Sequence, residues 1–97
     1  MNEHAIISEV IRERQAMCGN TRTAQAARQE SLAINDIGRS MIRKAQAGRI
    51  HPGMSDHEIA QVVKSGLFGW ILTRIIWHLS TEFLLWIISQ IRRRIWA

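Results

Sequence analysis

LFGWILTRIIWHLSTEFLLWIISQI, residues 67–91, is the stretch whose reading decides the fold. As one helix at about 1.5 Å per residue it would be roughly 37 Å long. A bilayer hydrocarbon core needs about 20 apolar residues, so the run is long enough to cross with some tilt. Its surroundings suit that reading. Trp70 stands near its start and Trp96 just past its end, where indole rings favour the interfacial layer. Arg92, Arg93 and Arg94 then form a basic stop beside the head groups, and Lys64 flanks the other side. These five residues, Trp70, Trp96 and the three arginines, are the expected membrane-interface anchors.

The interior of the run is not purely apolar. Arg74, His78 and Glu82 are four apart and share one face of a continuous helix. Thr81, Ser89 and Arg92 fall in the same sector of about 100°, together with Leu67, Ile71 and Leu85. A charge at the bilayer centre costs about 2.5–3.5 kcal/mol on insertion scales. Three arrangements relieve it. The stripe faces other helices, it faces water in a pore, or the helix lies along the membrane surface. The first is the expectation, with Arg74, His78 and Glu82 as a helix-association stripe. Without lipid, residues 67–96 would be buried against a protein partner.

Upstream, the pattern is helical throughout, with no alternation of strand length. Ile6, Ile7, Val10, Ile11 and Met17 predict a first helix over 2–17. Asn20 or Thr21 is the expected cap of a second helix reaching Ala47, with Gly48 as its stop. Ile50-His51-Pro52-Gly53 is the clearest turn signal. Ser55 and Glu58 have capping-box spacing, so a third helix starts there and is expected to run to Arg94. Gly66 and Gly69 mark the place where it would bend. The fold class is therefore all-α: two short N-terminal amphipathic helices, then one long C-terminal hydrophobic, membrane-associated helix. The organisation reads as 1–53 polar, 54–66 entry, and 67–97 apolar with a basic tail.

The net charge is +5, from 13 basic and 8 acidic side chains. Most of the excess lies in Arg92–Arg94, which suits anionic lipid at least as well as nucleic acid. A second basic stretch holds Arg39, Arg43, Lys44 and Arg49 without an acid, and could touch phosphates of lipid or nucleic acid. It contains no aromatic residue, so base stacking is not indicated.

Chemistry is sparse. Cys18 is the only cysteine, which excludes an intrachain disulfide and a cysteine-based zinc site. His4, His51, His57 and His78 have no diagnostic ligand spacing, and there is no phosphate loop, nucleophile elbow or carboxylate pair. No catalytic residue, metal site or cofactor is expected, and the chain reads as no enzyme. The opening MNEHAIISEVIRERQ lacks the basic start and long apolar core of a signal peptide. By the positive-inside rule the arginine tail stays cytoplasmic, which would send the polar part outward unaided.

The expected function is a small structural subunit of a membrane, in a cell or inside a virion. It would be a minor component of a membrane-containing virus particle or an accessory subunit of a membrane complex. Its partners would be lipid and other subunits, as a homo- or hetero-oligomer, with nucleic acid only weakly indicated. Two alternatives are a holin-like membrane-permeabilising protein and a soluble helical assembly or adaptor protein.

Overall fold

The computed structural model describes residues 2–19, 21–65 and 80–96. They form four helices and, among the described residues, no strand: α1 (Glu3–Cys18), α2 (Ala24–Gln46), α3 (Asp56–Ser65) and α4 (Thr81–Ile95). The all-helical class is as expected. The single long C-terminal helix is not.

Local chemistry sets the helix ends. The Asn2 side chain accepts from the Ala5 N–H at 3.1 Å and starts α1. Gly19 closes that helix at φ 54°, in the left half of backbone space that glycine enters without strain. The second helix begins later than Asn20 or Thr21. Thr21 donates its hydroxyl to the Cys18 carbonyl instead, so it helps finish α1. Thr23 takes the capping role and accepts from the Ala26 N–H at 3.1 Å. Gly48, at φ 78°, ends α2 as expected. Ser55 and Glu58 form the reciprocal capping box: the Glu58 N–H reaches Ser55 Oγ at 3.2 Å, and the Ser55 N–H reaches Glu58 Oε1 at 3.3 Å.

The expected unbroken helix fails at Ser80. That residue has extended geometry, φ −64° and ψ 147°, and its side chain accepts from the Phe83 N–H at 3.1 Å. It is an N-cap inside what reads as a continuous apolar run. Glu82 then places an acid in the first turn and Arg92, Arg93 and Arg94 lie in the last, both favourable to the helix dipole. Residues 66–79, with Gly66, Gly69, Trp70, Arg74 and His78, lie outside the described residues.

α4 is amphipathic and it closes the core. Phe83, Leu84, Ile87, Ile88 and Ile91 recur at helical spacing and are all buried. They meet Ile7 and Val10 of α1, Ala33, Ile34, Ile37, Met41 and Ile42 of α2, and Ile59, Ala60 and Val63 of α3. Ile50 and Met54, from the turn before α3, complete the cluster. α4 packs against each of the other three helices. At 15 residues it is about 22 Å long, shorter than the roughly 30 Å hydrocarbon core. Among the described residues no helix is long and apolar enough to cross a membrane.

Gly38 sits where α1, α2 and α4 come closest. A Cβ there would lie 3.1 Å from Ile7 Cγ1 and 3.4 Å from Ile91 Cδ1. It is the small residue that lets two isoleucines approach.

Candidate functional site

The residues singled out from the sequence fall into three places. Trp70, Arg74 and His78 lie outside the described residues. Glu82 is exposed in the first turn of α4. The shared face of Arg74, His78 and Glu82 presupposed a helix running through position 80, and Ser80 is extended.

The C-terminal arginines are held by the protein itself. Arg92 donates to Asp56 Oδ1 at 3.0 Å and to the Pro52 carbonyl at 2.7 Å, tying α4 to the first residue of α3 and to the turn before it. Arg94 meets Glu13 at 2.6 Å and Glu9 at 3.2 Å, tying α4 to α1. It also donates to the Gln90 carbonyl and side chain, which gives a partner to the one buried polar residue among those described. Arg93 is exposed between them. Trp96 is half-buried against the core, and its backbone N–H closes α4 on the Arg92 carbonyl.

A cluster that sequence reading missed surrounds Arg14. Its guanidinium stands 4.7 Å from the Phe83 ring centre and 5.4 Å from that of Trp86, and it pairs with Glu30 at 2.9 Å. Arg22 joins Glu30 at 3.4 Å and donates to Cys18 Sγ at 3.5 Å. The Cys18 contact, then Glu30, pushes the Arg22 guanidinium further above its ordinary range. The only sequence signal was an aromatic pair three apart on α4. The arginine that meets it lies on another helix. The arrangement fastens α1 to α2 and α4. Among the described residues no group of three or more histidine, cysteine or acidic side chains could hold a metal.

The basic stretch that begins in α2 opens to solvent at Arg39 and Arg43. Arg39 and Arg43 lie one turn apart and border an open cleft of about 300 Å³ with Glu3, His4, Ile7 and Asn35. Glu3 Oε1 stands 3.5 Å from Arg39 Nε and 3.7 Å from Arg43 Nη2. Lys44, which follows Arg43, donates to Ser40 Oγ at 2.8 Å. Burial first, then the positive charge of Arg49, pushes its ammonium below the ordinary 10.5. Of the four basic residues, Arg39 and Arg43 line the cleft, and Lys44 and Arg49 do not.

The chain matches no known protein family, no curated protein and no solved structure.

Proposed function

We propose that this chain is a small non-enzymatic subunit, a helical bundle that acts as an assembly or adaptor protein by binding a protein partner. The observation that supports this most is the burial of the α4 apolar face. Phe83, Leu84, Ile87, Ile88 and Ile91 pack within the chain, and Arg92 and Arg94 are committed to Asp56, Glu9 and Glu13. The half of the apolar run that would have met lipid is thus used to build the bundle.

What remains for attachment is the other half, LFGWILTRIIWHL, residues 67–79. Even a wholly helical segment of that length would reach only about 20 Å, short of a bilayer core. This weighs against a spanning anchor and against a holin-like lesion while the bundle stays folded. An apolar segment with two tryptophans and an arginine has the composition of a protein-interface core.

A membrane-associated structural subunit is the second reading, in a cell or in a virion with an internal membrane. Trp70 and Trp77 favour it, because indole-rich apolar segments also settle at the lipid interface. The anchor would then be monotopic, with the bundle beside the membrane.

Fractionation of the expressed chain separates the two. Recovery without detergent once a partner is co-expressed supports the adaptor. Sedimentation with membranes that an alkaline carbonate wash releases supports surface attachment. Retention after the wash would overturn both and restore an embedded helix.

A further inference from the structure

The cleft between α1 and α2 has a chemistry that the proposed assembly role does not use. α1 runs antiparallel to α2, as the Glu3–Arg39 and Arg14–Glu30 pairs require. That brings the first turn of α1 over the second half of α2. Ile7 is buried at the floor, and Glu3, His4, Asn35, Arg39 and Arg43 form the walls.

Charge does not balance there. Two guanidiniums face a single carboxylate oxygen, and both contacts are longer than the roughly 2.7–2.9 Å of a good charge-assisted hydrogen bond. Arg39 is 51 % exposed and Arg43 is 67 % exposed. Their planar forks are therefore loosely engaged and open to solvent. Lys44, next to Arg43 in the sequence, adds a further positive charge without lining the cleft.

We propose that this cleft binds a phosphate monoester, with Arg39 and Arg43 gripping its terminal oxygens and His4 adding a donor. A dianion suits the site better than a carboxylate. It offers three terminal oxygens to two forks, and it matches the charge of both arginines once Glu3 turns aside. Glu3 is the resident counter-ion, and its carboxylate must leave for the phosphate to enter. The volume, about 300 Å³, is at the small end for ligand sites, which fits one phosphorylated head group or small metabolite. No phenylalanine, tyrosine or tryptophan lines the cleft, so it lacks a large aromatic platform for a nucleotide base. This inference does not depend on how the bundle attaches to its partner.

The test is an amide NMR titration of the full chain with inorganic phosphate and then glycerol phosphate, against chloride at equal ionic strength. Saturable shifts confined to Glu3, His4, Asn35, Arg39 and Arg43 are expected. The double variant Arg39→Gln, Arg43→Gln should bind about tenfold more weakly or worse. Glu3→Gln should bind more tightly, because it removes the competing carboxylate. Arg28→Gln, elsewhere on the exposed face of α2, should change nothing. All four side chains are partly or fully exposed, so circular dichroism should show intact helices.

Vesicles of phosphatidylcholine with phosphatidic acid identify the source. Co-sedimentation that inorganic phosphate displaces, and that the double variant loses, identifies a lipid head group. Saturable binding of free phosphate without co-sedimentation identifies a soluble ligand. Shifts that never saturate, or that Arg28→Gln weakens as much as the double variant does, would overturn the site. So would binding to RNA that inorganic phosphate cannot compete away.

Discussion

The guanidinium of Arg94 meets the carboxylate of Glu13 at 2.6 Å and joins the last turn of α4 to the first helix of the chain. The Arg94 side chain is only 19 % exposed, and Glu9 and Gln90 share its remaining donors. A half-buried arginine is less screened than a surface one, but Glu13 is partly open to solvent. Arg94→Met should therefore lower stability by about 1–2 kcal/mol, and Glu13→Gln by about 1 kcal/mol or less. Urea midpoints for both variants and their double would check this. A coupling of zero in the cycle would mean that Arg94 works through Glu9 and Gln90 and not through Glu13.

Ile88 is fully buried in α4 and belongs to the cluster shared with the other three helices. Ile88→Ala should cost about 2–5 kcal/mol, since it removes buried methyl groups and leaves a void. Thermal melts followed by circular dichroism, without detergent, give the reading. A small bundle has little stability to spare, so the loss should appear as a large fall in melting temperature. An unchanged melt would mean that α4 does not pack on α1, α2 and α3.

How much of this was readable beforehand depended on the range of the interaction. The Ser55–Glu58 capping box and the Gly48 stop were both legible, because each is set by residues within about one turn. Ser80 was not. Its capping bond needs only Phe83, three residues on, yet the apolar run on both sides made a continuous helix the simpler reading. The arginines misled for a different reason. A cluster of three at the end of an apolar run has the same sequence signature whether it faces lipid head groups or acids on distant helices. Arg92 finds Asp56, and Arg94 finds Glu9 and Glu13. Only the fold supplies those partners. For the candidate site, Arg39 and Arg43 were visible as a basic pair, but Glu3 and His4 join them only once α1 folds back over α2.

Gly38 offers a test of the close approach between helices. Alanine at this position gains about 1 kcal/mol of helix propensity over glycine. Its methyl group would crowd Ile7 Cγ1 at 3.1 Å and Ile91 Cδ1 at 3.4 Å, so those side chains must shift by a few tenths of an ångström. The two effects oppose, and Gly38→Ala should fall within about 1 kcal/mol of the parent. Gly38→Val adds bulk that the site has no room for and should lose about 1–3 kcal/mol. Equal stability of the alanine and valine variants in urea would show that Ile7 and Ile91 do not converge on this position.

Lys44 gives the alkaline limb of the stability profile its sign. Burial, and Arg49 after it, holds the folded-state value below the ordinary 10.5. The unfolded chain therefore binds this proton more tightly than the folded one. Below the folded value the charged lysine is a net cost to folding. That cost shrinks as pH rises, and above 10.5 it is gone. Lys44 thus makes stability increase with pH in the window just under 10.5. Lys44→Met removes the titration and should flatten that slope while losing the Ser40 hydrogen bond at every pH. Urea midpoints for parent and variant, taken across the alkaline range, measure the difference directly. A parent slope identical to that of Lys44→Met would mean that neither burial nor Arg49 acts on this ammonium.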